Sequence, residues 1–279
     1  MLEPFSLLAH WVHDLDPFAI RLGERFGIRW YSLAYIAGFL AAWGLLTWYG
    51  KRGKSPFQPE QREFVFIALF LGVILGGRLG YMFLYDWPGF WRDPLSVVRI
   101  WEGGMASHGG FIGVFLAIWV IGARTGAGLW KSGDVITTLA APGLFFGRIA
   151  NFINGELWGK TTDLPWGVVF PASAPPGIPL QEIAARHPSQ LYAAFLEGVL
   201  LFAYSQWRFW RGSPTRPPGQ LAGEILIAYA FLRIFGEFFR EPDAALILGM
   251  SRGIFYSLLS ILAGTVVILS AHYCHRKRP

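Results

Sequence analysis

The chain has 279 residues, of which 53% are apolar, 17% aromatic and only 15% charged, with a formal net charge of +6. Soluble domains carry about 25% charged residues, so this composition, with a mean hydropathy of +0.40, leaves too little polar surface to cover a water-soluble globule. The basic residues fall in short clusters between apolar runs rather than along one face, which argues against a nucleic-acid partner.

Thirteen Trp and ten Tyr fit a protein with two membrane interfaces, where amphipathic rings gather. Cys274 is the sole cysteine, so an intrachain disulfide and a multi-cysteine metal site are excluded. The N-terminus does not read as a signal peptide: Glu3 stands where a basic region belongs, and no small-residue cleavage site follows.

A spanning helix needs about 20 mostly apolar residues. Seven segments qualify: Tyr31–Tyr49, Phe64–Tyr85, Gly110–Ala123 (starting nearer Ala106 if it spans), Val135–Ile153 with a kink at Pro142, Gln190–Trp207, Leu221–Phe239 and Ile254–Tyr273. Gly72, Gly76 and Gly80 in the second segment have the four-residue spacing that lets helices approach closely in lipid, a packing device first of all. The connections holding Lys51, Arg52, Lys54 and Arg62, then Arg124 and Lys131, then Arg208, Arg211 and Arg216 are short and basic. So is the tail with Arg276, Lys277 and Arg278. Lys and Arg mark the cytoplasmic side. The expected fold is thus an all-α polytopic membrane protein forming one integral membrane domain over residues 1–279. Its N-terminus lies outside and its C-terminus in the cytoplasm. An exposed Pro- and Gly-rich segment over about 156–187 forms an outer head or lid.

Charge inside such helices carries the chemistry. A charged side chain at mid-membrane costs about 2.5–3.5 kcal/mol even on the lenient insertion scale. Yet Arg78, Arg148 and Arg233 interrupt apolar runs near the outer ends of the second, fourth and sixth segments. Three such arginines on one side point to a shared anionic partner, and the planar guanidinium suits phosphate. The plainer alternative is pairing with Glu102, Glu156 or Glu237, or snorkelling to the interface. In the sixth segment Tyr229, Arg233, Glu237 and Arg240 stack on one face, with Arg233 and Glu237 at pairing distance; a buried ion pair holding the bundle is the alternative there. The run Gly147–Gly159 gathers Arg148, Asn151, Asn154 and Glu156 within three turns, with a helix stop at Gly155. Packing alone does not account for that density. His108 follows Gly103 and Gly104 at the start of an apolar run, where free N–H groups greet an anion and a His can serve as a base; a helix cap is the alternative role. His187 and the tail histidines His10, His13, His272 and His275 are weaker candidates.

No Gly-x-Ser-x-Gly elbow, His-Glu-x-x-His pair or Walker loop occurs. The chain thus offers no evident nucleophile, metal site or ATP site, and no cofactor is expected.

The run Gly147–Gly159 resembles the signature of the bacterial prolipoprotein diacylglyceryl transferases. Gly76–Tyr81, Gly103–Gly110, His187–Tyr192 and Arg233–Asp243 match that family in order, as does Trp30-Tyr31 at the start of the first helix. The resemblance runs from about Arg29 to Ser260. Ser32 stands where the family often has Gly, and Ile254 where Gln is common; neither falls among the matched polar residues.

This resemblance implies a transferase of the bacterial cytoplasmic (inner) membrane that catalyses the first step of lipoprotein maturation. It would move a diacylglyceryl group from phosphatidylglycerol to the thiol of the lipobox cysteine in a prelipoprotein signal peptide, forming a thioether and releasing glycerol phosphate. It further implies that Arg148 binds the head group, that His108 and Arg233 are required, and that Tyr31, Asn151, Glu156, Gly159, Tyr229 and Glu237 line the site. Residue chemistry adds Arg78, Asn154 and Arg240 as substrate-binding candidates. The nucleophile then belongs to the substrate, and His108, a carboxylate such as Glu156, or no protein group at all takes the thiol proton. Two other classes compete: a transporter of an anionic lipid or metabolite, for which paired half-repeats would be the sign, and a membrane scaffold, which leaves the polar residues of the fourth and sixth segments without a role.

Overall fold

The computed structural model describes residues 10–23, 27–99, 104–212, 215–242 and 245–276; the side chains of Leu84, Ser107 and His108 also lie outside the described residues. Most of the chain is helical, and every one of the seven segments expected from the sequence forms helix. They are α1 (Trp30–Lys51), α2 (Arg62–Leu84), a short α3 (Trp87–Arg92), α4 (Ser107–Thr125), α5 (Leu129–Thr137) and α6 (Ala140–Ile153). Beyond a long connection come α7 (Ser189–Ala193), a π-helical turn over Ala194–Leu200, α8 (Leu201–Trp210), α9 (Gln220–Glu237) and α10 (Arg252–Arg276). Among the described residues, four stretches are long and apolar enough to cross a membrane: Trp30–Lys51, Pro59–Phe83, Leu129–Ile153 and Arg252–Arg276. The chain is therefore built as a polytopic membrane protein.

Local sequence explains the breaks. Pro142 lacks an N–H and crowds the carbonyl four residues earlier, and α5 gives way to α6 at Thr138–Leu139. The Thr138 hydroxyl turns back to Val135 O at 2.6 Å. At the far end α6 stops at Ile153, and Gly155 adopts the left-handed conformation (φ 63°) expected of a helix stop.

Pairs of helices lie along one another: α2 with α4, α9 with α10, and α1 with α6. The α2–α4 contact uses the glycine stripe. A Cβ on Gly72, Gly76 or Gly80 would run into the backbone of Gly113 or Gly109, so each residue must be Gly for the helices to meet. Dispersion across that close contact replaces a hydrophobic drive that lipid does not supply.

The buried apolar core is gathered toward the end of the bundle that carries the basic connections. It contains Leu46 and Tyr49 of α1, Phe57, Val65 of α2, Ile121 of α4, Ile136 of α5, Phe209 of α8 and Leu221 of α9. Tyr49 donates to Gln206 Oε1 at 2.8 Å, and the Thr138 oxygen lies 3.1 Å away, so its buried phenol is satisfied. Apolar residues such as Ile36, Leu40, Ile67, Phe115, Phe231 and Leu269 face outward, as expected of a surface that meets lipid tails.

The opposite end differs from an all-helical expectation. Residues read as an N-terminal tail form strands. β1 (Trp11–Val12) pairs in parallel with β4 (Val168–Val169), and β2 (Phe18–Arg21) pairs antiparallel with β3 (Gly27–Arg29). Thus the 156–187 segment forms a head with the N-terminal residues, and Val168, Val169 and Phe170 are buried in it. Strands this short leave no periodic pattern of their own. His13, dismissed as a tail residue, is buried: its Nε2 lies 2.7 Å from Phe152 O at the end of α6, and its ring packs on Phe152 and Phe170.

Candidate functional site

The polar residues flagged in α6 and α9 come together against the π-helical turn. Glu197 sits in that turn with its side chain 1% exposed. Its Oε2 accepts from Arg148 Nε at 3.1 Å and from Nη2 at 2.8 Å, and its Oε1 accepts from Arg233 Nη1 at 3.2 Å. Arg233 Nη2 also lies 2.5 Å from Glu237 Oε1, the pair expected at i,i+4. Arg240 extends the chain, with its Nε 3.9 Å from the same oxygen. Ser251, at the entrance to α10, donates to Glu237 Oε2 at 2.8 Å. Among the described residues, three arginines thus meet the two carboxylates Glu197 and Glu237 in a buried network.

Glu197 was not among the carboxylates expected to pair with these arginines. The signal was present: Glu197 is the only acidic residue between Glu182 and Glu224 and stands in an apolar run. The rule that singled out the arginines, that charge inside an apolar helix needs a reason, applies to it equally. Its placement by a π-turn, where the chain carries an extra residue per turn, is not readable from helical spacing.

Around this network lies a narrow cavity of about 10 Å³, lined by Arg148, Asn151, Leu157, Ser189, Gln190, Ala193, Arg233, Gly236 and Arg240. Asn151 is buried; with its amide nitrogen turned toward the neighbouring acceptors it donates to Glu156 Oε1 at 3.1 Å and Gly147 O at 3.3 Å. Asn154 Nδ2 reaches the same Glu156 oxygen at 3.5 Å. Tyr31 and Tyr229 lie within the electrostatic field of Arg148. Leu157 holds a left-handed backbone (φ 59°) that a branched side chain rarely adopts, a strain of about 1–3 kcal/mol that clusters at functional sites. Two residues absent from the expected set, Ser189 and Gln190, anchor this turn: Ser189 Oγ donates to Leu157 O at 3.0 Å and Gln190 Nε2 to Glu156 O at 2.6 Å.

Gly159 serves the scaffold. A Cβ there would meet Phe239 O and the His187 backbone and side chain, each closer than 3 Å. Its N–H donates to His187 O at 2.9 Å, and Lys160 N–H to Phe239 O at 3.0 Å, tying the head to the end of α9. His187 packs against Tyr192 and Phe239, and its Nδ1 lies 3.2 Å from the Tyr192 hydroxyl. Burial, and then the nearby Lys160 ammonium, hold the His187 imidazole below its usual range.

Arg78 is not part of this cavity. Buried between α2 and the chain that precedes α4, it donates to the carbonyls of Val97 at 3.3 Å, Gly104 at 3.2 Å and Ser96 at 2.5 Å. Arg148 and Arg233 thus meet on one protein carboxylate, the plainer alternative to a shared anionic ligand though on Glu197 rather than Glu102, Glu156 or Glu237, while Arg78 holds backbone carbonyls of the connection before α4 against α2. His108 belongs to the first turn of α4, but its side chain, like Glu102, Gly103 and Asp243, lies outside the described residues.

Comparison with known proteins follows this geometry. Residues 17–270 match the family model described as prolipoprotein diacylglyceryl transferase. Over 233 residues the chain is 48% identical to a phosphatidylglycerol–prolipoprotein diacylglyceryl transferase of Solidesulfovibrio magneticus, covering 84% of each chain. A protein of the same name from Rhizobium leguminosarum is 43% identical over 271 residues, 92% of each chain. One from Nitratidesulfovibrio vulgaris is 45% identical over 236 residues, 83% of this chain and 84% of the relative. Matches of this extent leave one assignment: the chain belongs to the prolipoprotein diacylglyceryl transferase family.

Proposed function

We propose that this protein is a phosphatidylglycerol–prolipoprotein diacylglyceryl transferase. It transfers the diacylglyceryl group of phosphatidylglycerol to the thiol of the lipobox cysteine in a prelipoprotein, the first step of lipoprotein maturation. The observation that carries this reading is the buried convergence of Arg148, Arg233 and Arg240 on one cavity. Converging guanidinium groups suit a phosphodiester, and the relatives of this chain carry the name of this reaction.

On this reading the substrate sulfur attacks the terminal glycerol carbon of the diacylglyceryl group. The S–C bond forms as the C–O bond to phosphate breaks, and glycerol phosphate leaves with the electron pair. The thiol proton goes to Glu156, to His108, or to water or the phosphate without a protein base. Negative charge grows on the phosphate oxygens, and Arg148 and Arg233 hold it in a low-dielectric setting, where loss of one such donor costs about 10²–10³ in rate. Glu197 has two roles: it holds both guanidinium planes in place, and it keeps their charges compensated before lipid arrives. A phosphate enters the narrow cavity by drawing a guanidinium away from Glu197, an exchange of one anionic acceptor for another.

The reading also places the protein in the bacterial cytoplasmic membrane with seven spans. The basic ends are cytoplasmic, and the head built from residues 10–23, 27–29 and 156–187 is outside. Beyond the four long apolar stretches, the other three spans are α4, a shorter apolar helix, and α9 and the helix carrying Glu197, which hold charges among their apolar residues.

The test uses purified protein in detergent with phosphatidylglycerol and two peptides, one with the lipobox cysteine and one with Ser in its place. Mass gain on the cysteine peptide alone, with release of glycerol phosphate in equal amount, is the expected result. No gain on either peptide from folded protein would overturn the assignment.

A further inference from the structure

Gln190 carries a feature that the reaction described above leaves unexplained. Only 2% exposed, it lines the arginine cavity from the first turn of α7. Its Nε2 donates to Glu156 O at 2.6 Å. That contact fixes the amide orientation, because the reverse would set two oxygens face to face. Oε1 therefore points the other way, and it is a buried acceptor with no hydrogen-bond partner among the described residues. The hydroxyl next to it in sequence does not serve it, since Ser189 Oγ donates to Leu157 O. Buried acceptors in native proteins are almost always paired, by protein, water or a ligand, and this one belongs to a residue lining the arginine cavity, where a ligand can bring the donor.

The chemistry of that donor is constrained. An ionised phosphodiester brings acceptors only, so the group that the arginines hold does not satisfy Oε1. A cationic head group brings N–H donors, but Arg148, Arg233 and Arg240 repel it. A thiol is a weak donor. A neutral hydroxyl close to the phosphate meets every condition. Resting on the proposed phosphatidylglycerol reading, we propose that Gln190 Oε1 accepts a hydrogen bond from a hydroxyl of the head-group glycerol, so that the site selects a polyol phosphodiester over a simple alkyl one. The residue then reads the leaving group, the part of the lipid that does not remain on the product. It couples that reading to Glu156, whose carbonyl its other arm holds.

A site built to hydrogen-bond a substrate hydroxyl rejects an analogue that lacks it, because the buried acceptor is left unpaired. The experiment compares phosphatidylglycerol with phosphatidylpropanol, identical except for the missing hydroxyls, in mixed micelles with a lipobox peptide. Thioether formation is the readout. Wild type is expected to favour phosphatidylglycerol by about 10- to 100-fold in kcat/KM. Gln190→Ala and the similarly shaped Gln190→Met are expected to slow phosphatidylglycerol most and to bring the ratio within about threefold of unity. Equal rates for the two lipids with wild type would overturn the proposal, even if neither variant folds. So would variants that slow both lipids alike, which would make Gln190 a brace for the Glu156 turn only. Wild type that yields thioether from neither lipid would instead sink the transferase reading itself, and this proposal with it.

Discussion

Removing the charge of Glu197 is the sharpest perturbation of the arginine network. Glu197→Gln keeps the side-chain volume but turns an amide N–H₂ toward one of two guanidinium groups, where donors face donors. Three N–H contacts from Arg148 and Arg233 converge on this carboxylate, and its side chain is 1% exposed. Arg233 keeps a partner in Glu237 at 2.5 Å, so the damage falls mainly on Arg148. Uncoupling a buried ion pair costs about 3–5 kcal/mol, and the retained Arg233–Glu237 pair puts this case near the lower end. At about 2–4 °C per kcal/mol for a chain of this size, the expected fall in Tm is about 6–12 °C. Tryptophan fluorescence during thermal unfolding in detergent measures it. The double variant Glu197→Gln with Arg148→Met removes both partners and should recover at least half of the loss, because apolar replacement of a whole buried pair is close to neutral. A single variant within about 2 °C of wild type, or a double variant no more stable than the single, would refute the account of Glu197 as the shared counter-ion.

The other predictions concern chemistry, packing, pH and orientation. Arg148→Lys keeps the charge but loses the planar fork, and should lower turnover by about 10²-fold in the peptide lipidation assay. Gly76→Leu forces α2 and α4 apart at the Gly109–Gly113 contact and should destabilise by about 3 kcal/mol or more, whereas Gly44→Ala, with open space around it, should be neutral or slightly stabilising; thermal unfolding decides both. His187 is held below the usual imidazole range by burial and Lys160, so its neutral form is favoured in the folded state. Its contribution is therefore fully present above the unfolded value of about 6.5 and is lost as pH falls toward the folded value. The drop in Tm between pH 7.5 and pH 5, both chosen to bracket about 6.5, should shrink in His187→Gln. Cys274, exposed near the C-terminus, should react with a membrane-impermeant thiol reagent only after cells are opened; labelling in intact cells would reverse the proposed orientation.

Helix positions were legible because unbroken apolar runs leave few alternatives to helix in lipid, and Pro142 and Gly155 marked the interruption and the stop. Arg148, Asn151, Glu156, Arg233, Glu237 and Arg240 were legible for a complementary reason: each interrupts or borders an apolar run where charge needs a function. Arg78 stands apart from that group: its partners among the described residues include the backbone carbonyls of Ser96, Val97 and Gly104, which no residue type announces. Glu197 escaped through sheer isolation, a single carboxylate in a run that otherwise reads as a plain span. The head was opaque because its order lies in pairings distant in sequence, such as Trp11 with Val168 and the Gly159 bridge to Arg240. Two-residue strands carry no period from which to infer such contacts. Gln190 illustrates a further limit: its type is unremarkable in sequence, and only the unpaired oxygen in a buried cavity gives it meaning.

The most direct test of the central claim is lipidation of a lipobox peptide by purified wild type and Arg148→Ala in phosphatidylglycerol micelles, with thioether mass and glycerol phosphate quantified together. The account predicts equal molar amounts of both products from wild type and a rate lower by about 10²–10³ in the variant. Folded wild type that binds the lipid without forming either product, or Arg148→Ala at full rate, would contradict it.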